Sequence, residues 1–151
     1  MTQTNASVVL EAIHAVERRD GERLLELCDP QATFIWPPSL PYGGKGLEGL
    51  LENGPAYVAA WDDFQTEAER QMNPHVVAST EDEVVVLWEH KAVDGNGRRL
   101  ETPVLARYRL RNGKLLRAEM FYFDTVQVAA FLANAAKPDS ATSSVLGAAG
   151  V

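Results

Sequence analysis

The chain has 151 residues, room for one domain and little else. At 46% hydrophobic and 23% charged, its composition is that of a chain that folds around a core, not of one that stays disordered. A formal net charge of −7, with the basic residues scattered, repels phosphate backbones and argues against nucleic acid as a partner.

Met1–Asn5 carries neither a basic nor an apolar stretch, so no secretion signal is expected there. No apolar run approaches the ~20 residues that cross a bilayer, and a cytoplasmic protein without membrane contact follows. Val9, Ala12, Ile13 and Val16 recur at helical spacing, which predicts a helix over Ser7–Arg19. Asp20-Gly21 ends it, and Glu22–Cys28 reads as a second short helix. Cys28, the only cysteine, lies on that apolar stretch, so a buried thiol is expected and a disulfide within the chain is excluded. Ala32–Trp36 reads as a strand. It runs into Pro37–Gly44, where three prolines and two glycines make a shaped loop. Helical pattern returns at Leu47 and runs to about Trp61, with Gly54-Pro55 as a kink or a fresh start.

The second half is strand-rich. Phe64–Met72, Val76–Thr80, Val84–Val93, Glu101–Arg111 and Lys114–Phe123 are separated by turn signals, which predicts an antiparallel meander. Asp124 or Thr125 then caps a last helix through Ala133. The single domain is expected over residues 7–136, with 137–151 a disordered tail of small residues.

Patterning assigns the faces of these strands. A three-residue loop at Arg111-Asn112-Gly113 pairs Tyr108 with Leu116, Ala106 with Ala118, Val104 with Met120 and Thr102 with Tyr122. One face is then almost wholly apolar, while Arg107, Arg109, Arg117 and Glu119 share the other. Val86, Trp88 and His90 alternate with Glu89 and Lys91, so Trp88 and His90 are expected inside. Leu105, Leu115, Phe121 and Phe123 fall on the outer face among the arginines, and a homodimer interface is the natural use for so much apolar surface.

At this point the residues carry a resemblance. Two N-terminal helices, the strand start Ala32-Thr33-Phe34, the loop Pro41-Tyr42-Gly43-Gly44 and the ending Gly113-Lys114-Leu115…Phe121-Tyr122-Phe123-Asp124 together resemble the SnoaL-like branch of the nuclear transport factor 2-like superfamily. The likeness spans about Ser7 to Ala133. It implies an α+β cone, a curved antiparallel sheet wrapped around the N-terminal helices with a ligand pocket in its mouth. Relatives of that kind include polyketide cyclases, ketosteroid isomerases and limonene epoxide hydrolases, as well as non-enzymes, so the fold alone does not choose a chemistry.

The catalytic carboxylates of those relatives do not carry over. The acidic position on the last strand, seven residues after Gly113, holds Met120. The aspartate before the proline that follows the first strand is Trp36, and a second aspartate position falls at Ala106. The isomerases' tyrosine on the first helix falls at Ala12, and an Arg-x-Asp pair at Trp88 and His90. Taking a proton from carbon or from water needs a base, and an apolar side chain cannot replace one.

His90 is the remaining candidate base, with Tyr122 as a hydroxyl that polarises a ligand oxygen. The competing reading of His90 is a histidine at the cone's rim, bonded to backbone or solvent. Trp36, Tyr42, Trp61, Trp88 and Met120 are the candidate ligand contacts, against the alternative that they are core. His14 falls off the apolar stripe of its helix and His75 in a turn, and three dispersed histidines give no metal-ligand spacing. Asp124 reads as a helix cap and Glu119 as an ion-pair partner. The expected function is binding of a small apolar, polyketide- or terpenoid-like molecule, with isomerisation, cyclisation or dehydration as its chemistry and no cofactor or metal. The alternative is a non-catalytic ligand-binding or dimerisation module.

Overall fold

In the computed structural model, which describes residues 4–138, five helices and a 3-10 turn surround one five-stranded sheet. Helix α1 spans Asn5–Glu17 and starts where the Thr4 hydroxyl accepts the Ser7 N–H. Arg19 takes a positive φ of 59° at the reversal, and Asp20 caps α2, Gly21–Leu27. Strand β1 covers Cys28–Ile35, with Cys28 buried at its start. Helix α3, Leu50–Trp61, runs unbroken through Gly54-Pro55. Pro55 removes only the bond to the Leu51 carbonyl, and both residues lie on the exposed side of the helix.

The strand expected over Phe64–Met72 does not form. A 3-10 turn, Asp62–Phe64, and a single helical turn, α4, Glu67–Arg70, stand there instead. The cause is local: Thr66 and Glu69 make a capping box, a hydrogen-bonded start that an extended chain cannot offer. The remaining strands are β2 His75–Ser79, β3 Glu83–Val93, β4 Arg99–Arg111 and β5 Lys114–Tyr122, followed by α5, Thr125–Asn134, capped by Asp124.

The sheet order is β1-β5-β4-β3-β2. The meander β2 to β5 is antiparallel, as its short turns require, while β1 joins β5 in parallel. The β4–β5 hairpin differs from the expected three-residue loop. Asn112 and Gly113, at φ 53° and 75°, make a two-residue turn, with Arg111 opposite Lys114 and Leu110 opposite Leu115. A bulge at Leu116 then resets the register, giving Tyr108 opposite Ala118, Ala106 opposite Met120 and Val104 opposite Tyr122. The expected pairs are displaced by two residues, which leaves the side chains beyond the bulge on their expected faces, while Leu116 itself is unpaired and half-buried. Leu115, before the bulge, is the exception: it is fully buried, not on the outer face.

The chain's far end is clasped to the β3–β4 turn. Asp94 accepts backbone N–H bonds from Asn96, Arg98 and Ala136, and the Gly95 N–H donates to the Ala136 carbonyl at 2.8 Å. A side chain on Gly95 would collide with the Lys137 carbonyl, so this position requires glycine. Most of the expected tail, residues 139–151, lies outside the described residues.

Candidate functional site

Alternation along β3, β4 and β5 turns one face of the sheet toward the helices. Val84, Val86, Trp88, His90 and Ala92 are buried there, beside Thr102, Val104, Ala106, Met120 and Tyr122. His90 is 2% exposed. Its ring meets the Trp61 indole edge-on at 4.2 Å and lies 5.6 Å from the Tyr122 ring and 6.2 Å from Trp88. Among the described residues its Nε2 has no hydrogen-bond partner, and the same holds for the hydroxyl of Thr102, directly opposite it on β4, and for the indole N–H groups of Trp36, Trp61 and Trp88. Burial, aided by the charge of Arg19, pushes the His90 pKa down to about 3, so the ring is neutral.

Six of the seven candidate residues form one continuous aromatic cluster. The Tyr42 and Tyr122 hydroxyls share a buried 2.8 Å hydrogen bond. Burial raises both phenols well above their usual range, so they stay neutral donors. Trp36 packs edge-on against Tyr42 at 5.1 Å and Tyr122 at 6.2 Å, and Trp88 lies 6.3 Å from Tyr122. Trp61 closes the set, 6.2 Å from Tyr42. Met120 shares the inner face, opposite Ala106, as a core side chain.

Sequence reasoning missed Tyr57. It stacks on Trp36 at 5.0 Å and also touches Tyr42 and His90, at 5.1 Å and 6.4 Å. The signal was present as spacing: Asn53, Tyr57 and Trp61 stand four apart on α3 and are all buried. Arg19 was missed as well. Its guanidinium lies 5.6 Å from the Tyr57 ring and is fixed by Asp62 at 2.9 Å, the Val16 carbonyl at 2.8 Å and Gln65 at 2.6 Å. Gln65 in turn donates to the carbonyl of Lys91, next to His90.

A groove of about 380 Å³ opens between the α1–α2 corner and α3. Val16, Leu24, Leu25, Leu51 and Val58 form its sides, and Phe34, Trp36 and Tyr57 its floor. Trp36 is the one candidate ligand contact on this lining; Tyr42, Trp61, Trp88 and Met120 sit behind the floor in the packed interior. Arg19 and Asp20 bring the only charges on the lining, and both are paired, with Asp62 and Arg18.

The buried carboxylates among the described residues are all occupied. Glu17 accepts the Met72 N–H and the His14 ring N–H, Glu69 caps α4, and Asp94 holds its turn. No group of three His, Cys, Asp or Glu among the described residues is arranged to hold a metal ion, and none of the described helices is long and apolar enough to cross a membrane.

No curated protein matches the chain in sequence. Solved structures do match in fold. TerC, co-crystallised with polyporic acid, aligns with a TM-score of 0.71 at 20% identity, over 86% of this chain and 98% of that one. IdmH, a putative polyketide cyclase from Streptomyces antibioticus, aligns with a TM-score of 0.67 at 19% identity, over 87% and 99%. A putative SnoaL-like polyketide cyclase from Jannaschia sp. CCS1 aligns with a TM-score of 0.64 at 20% identity, over 86% and 92%. The family model for the SnoaL-like domain matches residues 9–118, from the first buried turn of α1 to the bulged start of β5, and so the chain belongs to the SnoaL-like domain family.

Proposed function

We propose that the protein binds an uncharged, apolar ring compound of polyketide or terpenoid type in the groove between the α1–α2 corner and α3. The observation that carries this reading is the groove: about 380 Å³, aliphatic sides and an aromatic floor. That volume suits a small-molecule ligand, and burying a ring against Phe34, Trp36 and Tyr57 supplies the driving force. The crystallisation of TerC with polyporic acid supports a small organic ligand in this fold, and the description of IdmH as a putative polyketide cyclase supports the ligand class. Val58 is 37% exposed on the groove wall, so Val58→Trp fills the groove from outside the core. Titration with an anthraquinone, followed by calorimetry, is expected to show at least a roughly tenfold weaker Kd in the variant. Equal affinity in both proteins would place the ligand elsewhere.

A second reading is proton-transfer catalysis in isomerisation, cyclisation or dehydration. The position of His90, a buried neutral imidazole beside the Tyr122 ring, favours it. Here His90, neutral but at a pKa of about 3 a weak base, takes a proton already acidified by a neighbouring carbonyl, and a neutral tyrosine hydroxyl polarises that carbonyl's oxygen. His90→Gln keeps a hydrogen-bonding side chain and removes the base, with an expected loss of about 10²–10⁴ in rate. Undiminished turnover in this variant ends the assignment. The reading further includes a second copy of the chain on the outer face of the sheet, where Leu87, Leu105 and Phe121 lie exposed in one row.

A further inference from the structure

The groove and the packed interior meet at two adjacent rings, Tyr57 and Trp36. On the solvent side is the groove; on the inner side are His90, with its unpartnered Nε2, and the hydrogen-bonded Tyr42–Tyr122 pair. Tyr57 both lines the groove and makes ring contact with His90 and Tyr42. Trp36 lines the groove too, and reaches Tyr42 and Tyr122 but not His90. The other rings around His90, those of Trp61, Trp88 and Tyr122, lie on the inner side. The Tyr57 ring is held by Trp36, stacked at 27°, and by the Arg19 guanidinium.

We propose that Tyr57, backed by Trp36, is the partition between the groove and the buried His90–Tyr42–Tyr122 set, and so determines how deep a ligand reaches. This rests on the groove being the ligand site. With the ring in place, a ligand stops at the floor and meets only apolar surface. With the ring displaced, its leading end reaches three neutral polar groups, which suit an uncharged oxygen better than a charged one. Tyr57 then separates the site of binding from His90, the one candidate base.

The test needs no ligand. Diethyl pyrocarbonate acylates neutral imidazole, and mass spectrometry reads each histidine separately. His14 and His75 are exposed and serve as internal references, and the lowered pKa keeps His90 neutral at the labelling pH. In the wild-type protein His90 is expected to label roughly 100-fold slower than His75, as a group reached only by local opening. Tyr57→Ala should bring it to within about tenfold of His75. Because deleting a buried ring weakens a core, Tyr57→Leu is run beside it and is expected to behave alike. Val16→Ala widens the same groove without touching His90 and should leave His90 protected. Near-UV circular dichroism verifies the native packing of each variant. Protection of His90 unchanged in the folded Tyr57 variants would overturn the proposal, as would equal exposure in Val16→Ala. Neither result depends on Val58→Trp, so the partition and the ligand site fail separately.

Discussion

His90 couples the interior to pH. An imidazole has a pKa near 6.5 in the unfolded chain and is pushed down to about 3 by burial here. Between those values the unfolded chain binds a proton that the folded one refuses, so stability is full above about pH 6.5 and falls as pH drops toward 3. From pH 7.5 to 4.5 this single group costs about 2–3 kcal/mol. Denaturant unfolding at both pH values should therefore show His90→Gln losing about that much less stability on acidification than the wild type. Parallel losses would mean that His90 is not buried neutral. The same residue shows what the sequence reveals at this scale. Alternation with Trp88 and Val86 put His90 inside, because one polar face of β3 leaves no other place for it. Its contact with Trp61 and Tyr57 comes from α3, far away in sequence, and no strand pattern contains that information.

Among the elements, long periodic segments were legible and short ones were decided locally. Helix α1, strands β3 to β5 and helix α5 appear within two residues of their expected bounds, since each has an apolar face that only one geometry can bury. The segment after Trp61 forms no strand: Phe64, Ala68 and Met72 stand four apart, a helical spacing, and Thr66 and Glu69 bond across one helical turn. The β4–β5 hairpin was half right for a physical reason. Side-chain parity fixes the faces, but a turn one residue shorter plus a one-residue bulge satisfies the same parity. The groove was not legible at all. Its sides come from α1, α2 and α3, and an interhelical gap depends on crossing geometry that no single segment encodes.

For the molecule as a whole, the outer sheet face carries a row of exposed apolar side chains among the described residues. Leu87, Leu105 and Phe121 are 41%, 43% and 55% exposed in directly paired positions, and Phe123 beyond them is 83% exposed. Arg107, with Glu83 and Glu119, supplies a charged border next to that row. An apolar centre with a polar border is how self-association surfaces are built. Sedimentation of the wild type at about 10 μM should show a dimer, and Phe121→Glu should raise the dissociation constant by about 10- to 100-fold, because a charge is then buried without a partner. A wild-type protein that sediments as a monomer would leave this face without its proposed occupant.

The parallel pairing of β1 with β5 has a consequence in time. Thr33 lies beside Arg117, so the first strand to leave the ribosome has its neighbour only after nearly the whole domain has followed. At cellular rates of elongation the interval is roughly 5–15 s. Throughout it Phe34, destined for the interior, has α2 and then α3 as neighbours, with Asn53 donating to its carbonyl, but no strand on its β5 side. The last strand made is thus the one that commits the first, and this long separation raises the contact order, which slows refolding relative to a local meander of the same size.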